Sequence, residues 1–244
     1  MNVLGRQTKR VVMDTGVSPK TVLWRYVSLA KFVDLLKSES LYFPRGDQFQ
    51  DRHEGAFTES IKNAIEASYK MNHIDFTYQE FKRRLREKVY ISCWHGSQND
   101  SMAMWKVFAN TTESVAITTT VRQLADAIEA HKLKFSTAIY KVDYVKHWRD
   151  PELQINPYSR VFAHKHIAYE YEKEYRVIID LYHEPDEPAL PDGMRISIDK
   201  SILLRSVVLA PESQVWFRSV VEGLCEKYGC KVAVRRSRLS AIPL

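Results

Sequence analysis

Apolar runs of strand length and helical periods succeed one another along the chain from Thr21 onward. Val22 to Tyr26 reads as a short strand, and Ser28 behind it has the chemistry of an N-cap. Leu29, Phe32, Val33 and Leu36 then recur at helical spacing and predict a helix with one apolar face. "LYFPRGDQFQD" is a strand broken into a loop by Pro44 and Gly46, and residues from about 54 to 88 are polar and helix-favouring, which predicts an exposed helical insertion ending in the basic "FKRRLREK". "KVYISCWH" is an apolar strand that stops at the polar loop "GSQNDS", before a short helical run, "MAMWKVFAN". "SVAITTT" is a β-branched strand, and "VRQLADAIEAH" places Val121, Leu124, Ala125 and Ile128 on one helical face. "TAIYKVDYVKHW" reads as one strand.

A long polar and aromatic loop leads to the strand "AYEYEKEYRVIIDLY", followed by the proline-punctuated turn "HEPDEPALPDG". "SILLRSVVLAP" and "CKVAVRRS" read as late strands around the helix "SQVWFRSVVEGLCEKYG", which Gly229 ends as a C′ residue. The first twenty residues have no period and read as a flexible arm, leaving 21–244 as a single domain. Strands and helices mix without strict βαβ alternation. The expectation is an α+β fold, with a mixed, largely antiparallel sheet, whole or split, flanked by helices.

Composition narrows the class. At 244 residues, 45% hydrophobic and 27% charged, the chain resembles ordinary globular proteins. The net charge of +6 suits an anionic partner such as a nucleic acid or a dinucleotide, but is too modest to select one. Cys93, Cys225 and Cys230 are odd in number and lack zinc-type spacing, which points to a reducing compartment. No signal-peptide core or membrane-length apolar run is visible, so a soluble cytoplasmic protein is expected. G-x-G-x-x-G, G-x-x-x-x-G-K-[ST], H-E-x-x-H and G-x-S-x-G are all missing, which sets aside P-loop NTPases, kinases, Rossmann dehydrogenases and the common hydrolases.

Polar residues gather instead at the ends of the predicted strands: Arg25, then Asp47, Asp51, His53 and Glu54, then Ser92 and His95, then Glu172, Glu174 and Arg176. Strand ends are rigid and the loops beyond them open, so such residues can be held firmly and still reach a ligand. The ordered series "LWRYVSLAKFVDLLKSESLYFPRGDQFQDRHEG", "VYISCWH", "SMAMWKVFANTTESVAITTT" and "YEYEKEYRVI" resembles the bacterial domain-of-unknown-function 2971 family from about Leu23 to the end.

Arg25 in "LWRY", Ser92 in "YISCWH" and Glu172-x-Glu174 also fall in the order used by ADP-ribosyltransferases. That resemblance implies NAD as co-substrate and a protein or nucleic-acid acceptor. It implies Glu174 as the carboxylate beside the ribose, Glu172 as the group that orients or deprotonates the acceptor, Arg25 on a phosphate or ribose, and Ser92 supporting the ribose. Trp94 or Tyr26 would stack on nicotinamide. A carboxylate suits this chemistry because breaking the glycosidic bond builds positive charge on the ribose carbon. The superfamily's Ser-Thr-Ser is Ser-Cys-Trp here, and a helical insertion separates Arg25 from Ser92.

Other readings stay open. Asp47, Asp51, His53 and Glu54 mix carboxylate and imidazole, the donor types of Mg²⁺, Mn²⁺ or Zn²⁺, and would suit a metal-dependent nuclease. Lys82, Arg83 and Arg84, or the tail "VAVRRSRLS", would contact phosphates in a nucleic-acid binder. Glu172 and Glu174 would be a solvated strand edge in a non-catalytic interaction module, and Arg25 a structural ion pair with Glu174 or Asp51. His164 and His166, in "HKH", read as packed side chains rather than ligands.

Overall fold

In a computed structural model of the chain, residues 10–240 are described, apart from 50, 52, 110–111, 132, 147–148 and 186–189. The strands are β1 (Val11–Met13), β2 (Val22–Ser28), β3 (Ser40–Pro44), β4 (Val89–Gly96), β5 (Ser114–Thr120), β6 (Ser136–Lys141), β7 (Asp143–Val145), β8 (His164–His166), β9 (Glu174–Asp180), β10 (Gly193–Ser197), β11 (Ser206–Leu209) and β12 (Ala233–Arg236). The α-helices are α1 (Leu29–Ser38), α2 (Glu59–Met71), α3 (Tyr78–Glu87), α4 (Met102–Met104), α5 (Val121–Glu129), α6 (Lys200–Leu203) and α7 (Val215–Lys227).

Eight strands form one sheet in the order β1-β6-β9-β4-β2-β5-β11-β12. The two edge pairings, β1 on β6 and β11 on β12, are parallel, and those between are antiparallel. The sheet is split down its middle. β2 pairs with β5 along its whole length, from Val22↔Thr120 to Ser28↔Ser114, but meets β4 only at Leu23↔Gly96 and Trp24↔His95. Beyond that seam β4 pairs with β9, from His95↔Glu174 to Val89↔Asp180, and on its other side makes a single bridge, Tyr90↔Arg45.

Side chains alternate between the faces of a strand, so the register assigns each residue a side. One face carries Leu23, Trp94, Ile117, Val177 and Val207 under α1, α5 and α7, through residues such as Phe32, Leu124, Ile128 and Phe217. The opposite face has two separate covers. Over β4, β6 and β9, Ile91, Tyr140 and Ile178 pack under Phe81 and Leu85 of α3 and Phe162. Over β2, β5 and β11, Trp24, Tyr26, Ala116 and Val208 pack under Met104 and Trp105. The seam of the sheet runs between these two covers.

Several elements depart from the expected pattern, most of them short segments that periodicity does not register. Val11–Met13, inside the expected arm, pair with Thr137–Ile139, whereas residues 1–9 lie outside the described residues. The helical insertion is two helices, and α3 begins with a capping box in which Thr77 and Glu80 satisfy each other's backbone. "TAIYKVDYV" breaks at Val142 into β6 and β7, and β7 joins β8 in a separate parallel pair. β10, hidden behind the proline-rich turn, pairs with β3, and α6, capped by Asp199, precedes β11.

Gly96 closes the seam end of β4. Its N–H donates to the Lys173 carbonyl at 2.9 Å, and a Cβ there would lie 2.3 Å from the buried Tyr175 ring and 3.2 Å from that carbonyl. Overpacking of this kind costs about 1–3 kcal/mol. Gly96→Ala is therefore expected to lower the urea unfolding midpoint by that equivalent, and an unchanged midpoint would show that the seam yields freely.

Candidate active site

Five charged side chains converge under the seam. Arg176, fully buried, donates from Nε to Glu174 Oε1 at 3.0 Å and from Nη2 to Glu174 Oε2 at 2.9 Å, and on its other side it pairs with both oxygens of Glu54. Lys165 Nζ donates to Glu172 Oε2 and, at 3.3 Å, to Glu174 Oε2, and lies 3.7 Å from Glu54. Glu54, Glu172 and Glu174 are all buried. The two E-x-E glutamates meet by a route other than strand alternation. Glu172 ends a 3₁₀ helix over Ile167–Glu172, β9 starts only at Glu174, and Lys173 between them takes the left-handed conformation at φ 44°. That turn brings both carboxylates onto one ammonium. A left-handed non-glycine residue costs on the order of 1–3 kcal/mol, the kind of strain found at functional sites.

The charges settle each other's protonation. Burial alone would raise the Glu174 carboxyl, but the Arg176 guanidinium and Lys165 outweigh it and hold its pKa down at about 2. Glu172 moves the other way, raised by burial against the pull of Lys165. Burial would lower the Lys165 ammonium, but Glu174 and Glu172 overcome that and raise it. Glu174 is thus a fixed anion at neutral pH, and Glu172 is the more basic carboxylate.

A depressed carboxylate stabilises the fold above its unfolded value, near 4.5, and loses that contribution as the pH falls towards about 2. For Glu174 this amounts to something on the order of 3 kcal/mol, partly offset by Glu172, whose raised value acts in the opposite sense. Urea midpoints taken from pH 5 to pH 2 are expected to fall in the wild type and to fall much less in Glu174→Gln. Parallel slopes would contradict this assignment.

The register places these groups in a row. Glu174 pairs with His95, His95 with Trp24, Trp24 with Thr118, and Thr118 with Ser206, so all five share the face that bears the two covers. The His95 ring is 6.1 Å from Tyr26, which stacks on Trp24 and meets Trp105 edge-on at 4.9 Å. His95 Nδ1 donates to the Glu172 carbonyl, and burial lowers its pKa, which keeps the imidazole neutral. The seam therefore has an ionised carboxylate on one side and an aromatic wall on the other.

Arg25 and Ser92 do come together, on the opposite face. Arg25 Nη1 donates to Ser92 Oγ at 3.1 Å, its Nη2 to the Tyr42 carbonyl at 3.3 Å, and its guanidinium lies 5.4 Å from the Trp94 ring centre. Among the described residues it has no carboxylate partner, neither Glu174 nor Asp51. Trp94 is 2% exposed and gives its Nε1–H to Ser92, so its faces belong to the core. Of the residues expected at the site, Glu172, Glu174 and Tyr26 share the seam face, and Arg25, Ser92 and Trp94 brace β2 against β4 behind it.

The metal alternative does not assemble. Asp47 makes a two-pronged pair with Arg45 at 2.7 and 2.9 Å, Glu54 is engaged by Arg176, and Asp51 caps the N–H of His53 at 2.9 Å. Among the described residues no three His, Cys, Asp or Glu side chains are grouped to hold an ion. At the basic end of α3, Arg84 lies over Tyr182, Arg86 donates to the Glu54 carbonyl, and Lys88 donates to the carbonyls of Glu184 and Pro185, while Arg83 is exposed. No described helix is long and apolar enough to cross a membrane. Lys165 was not singled out from the sequence. It sits inside "HKH", where the histidines draw the eye, and only its neighbourhood reveals it.

Residues 104–177 match the model of the family described as "Protein of unknown function (DUF2971)". The matched stretch runs from the end of α4 into β9 and includes Lys165, Glu172 and Glu174. No curated protein matches the chain. Among solved structures the chain is similar to Thermus sp. 2.9 DarT in complex with ADP-ribosylated ssDNA, with a TM-score of 0.43 and 6% identity over 91% of this chain and 96% of that one. It is also similar to the same protein in complex with NAD+, with a TM-score of 0.42 and 8% identity over 93% and 100% of the two chains. These likenesses are distant.

Proposed function

We propose that this protein is an ADP-ribosyltransferase-like enzyme that takes NAD⁺ as substrate at the seam and transfers its ADP-ribosyl group to a macromolecular acceptor. The observation that carries the reading is Glu174, a carboxylate held ionised by Arg176 and Lys165 and placed in one cross-strand row with His95 and Trp24. The strands bearing the Arg25, Ser92 and Glu174 motifs lie side by side as β2, β4 and β9, which supports the resemblance noted from the sequence.

The chemistry follows from these positions. The bond between ribose C1′ and nicotinamide breaks with its electron pair leaving on nicotinamide, and positive charge grows on the sugar. Glu174, its charge fixed and its orientation locked before reaction, stabilises that charge through the neighbouring hydroxyl, and a preorganised anion in a poorly solvated site is worth far more than one in water. Trp24 and Tyr26, packed under Met104 and Trp105, form the apolar wall beside the place of the nicotinamide ring. An acceptor nucleophile bonds to C1′ and gives up its proton, for which Glu172, the more basic of the pair, serves as base. Arg25 and Ser92 are positioning residues that fix β2 relative to β4.

The reading is tested by following free nicotinamide when purified protein is incubated with NAD⁺. Slow release without acceptor, and faster release with cell extract, is the expected result. Absence of release together with no saturable NAD⁺ binding by calorimetry would overturn it.

A further inference from the structure

We propose that an arginine-lined cavity on the same face of the sheet holds the backbone phosphates of a single-stranded polynucleotide. The cavity, of about 360 Å³, lies over β5, β11 and β12, and Arg205, Arg235, Arg236 and Arg238 line it. Among the described residues none of these four arginines is in an ion pair. One carboxylate, Asp100, reaches the lining, and its Oδ2 already accepts from Ser237 Oγ and from Trp105 Nε1 at 3.4 Å. Among the described residues Arg238 has only the amide oxygen of Asn99, at 3.3 Å. Four guanidinium groups gathered around one recess repel one another, and an anionic ligand relieves that repulsion.

Size and position decide the kind of anion. Guanidinium forks pair two-pronged with phosphate oxygens, so four of them, Arg205 just before β11 and the other three along the edge strand β12 and the turn beyond it, exceed what one phosphate can occupy. The cavity shares the row of Trp24, Thr118 and Ser206 with Glu174. Thr118 lies three strand spacings from Glu174, about 14 Å at roughly 4.8 Å each. A phosphate held there is several bonds removed from a sugar reacting at Glu174, whereas a chain of phosphates crosses that distance. Trp24 lines the near end of the cavity, an aromatic edge of the kind on which bases stack. The proposal rests on the transferase reading only in making the bound strand the acceptor. The binding itself is independent of it.

Anisotropy of a fluorescein-labelled, mixed-sequence twelve-nucleotide DNA strand, measured on the full chain without NAD⁺ from 50 to 200 mM NaCl, tests this. With four phosphate contacts, the slope of log affinity on log salt is expected near −3, at about −0.7 per contact. Arg235→Gln/Arg236→Gln, both exposed and checked for an unchanged melting temperature, is expected to weaken binding about tenfold and bring the slope near −1.5. Lys82→Gln/Arg83→Gln, on the far helix α3, is expected to leave both unchanged. Equal binding by the Arg235/Arg236 variant and the wild type overturns the proposal. So does displacement of the strand by inorganic phosphate or AMP at matched phosphate concentration, which would mark a mononucleotide site. If arginine-dependent binding persists while Glu174→Gln turns out indistinguishable from wild type with NAD⁺, the strand site stands and the transferase reading falls.

Discussion

Glu174→Gln lowers the rate of nicotinamide release by roughly 10²- to 10³-fold, the usual effect of removing one preorganised group from a developing charge. The loss is expected in kcat rather than KM, because the carboxylate acts on charge that is absent from the ground state. The same substitution removes a charge from a buried cluster and so also destabilises the protein. Glu54→Gln separates the two effects. Glu54 neutralises the same Arg176 with both of its oxygens, yet it belongs to the loop before α2 and not to the cross-strand row of Glu174, His95 and Trp24. Glu54→Gln is expected to lower stability by a similar amount and, assayed well below its transition, to keep kcat within a few-fold of wild type. Equal kcat losses in the two variants would reduce Glu174 to a structural group.

Arg176→Met has the largest expected effect on folding. The guanidinium is fully buried and donates to Glu54, to Glu174 and to the Phe162 carbonyl. Its loss strands two carboxylates in the interior with only Lys165 beside them. Removing one partner from a buried ionic cluster costs about 3–5 kcal/mol, here a fall in melting temperature on the order of 10 °C. The double variant Arg176→Met/Glu54→Gln is expected to recover part of that loss, since it removes one of the stranded charges. A melting temperature within 2–3 °C of wild type for Arg176→Met would mean that water or rearrangement already serves these carboxylates.

Much of this arrangement was legible in the sequence where local chemistry decides structure. Ser28 does cap α1, accepting from the Lys31 N–H at 3.4 Å, and Phe32 and Leu36 of α1 and Val121, Leu124, Ala125 and Ile128 of α5 face the core, whereas in α1 Leu35 is buried and Val33 stays outside the core. The α+β class followed from strands and helices mixed without alternation, whereas the sequence left open whether the sheet is whole or split. What could not be read was register. Arg25 and Glu174 are brought to the two strands that flank β4, in keeping with their motif order, but Trp24↔His95↔Glu174 is the pairing that puts tryptophan, not arginine, on the glutamate's face. A slip of one residue would have reversed that choice, and nothing local to "LWRY" sets it. Lys165 and the arginine cavity are illegible for a related reason: each gains its meaning from elements far away in the chain, β9 for the lysine and β5 and β11 for the arginines of "VRRSR".

The decisive measurement is label transfer from NAD⁺ carrying a radiolabelled adenylate phosphate, with wild type and Glu174→Gln offered the same DNA strand and the same protein extract. Covalent label on an acceptor with the wild type, and none above background with the variant at equal folded concentration, is the predicted result. Equal label with both proteins, or no label with either while the wild type is folded and saturated with NAD⁺, would contradict the assignment of Glu174 and return the charged cluster beneath the seam to a purely structural role.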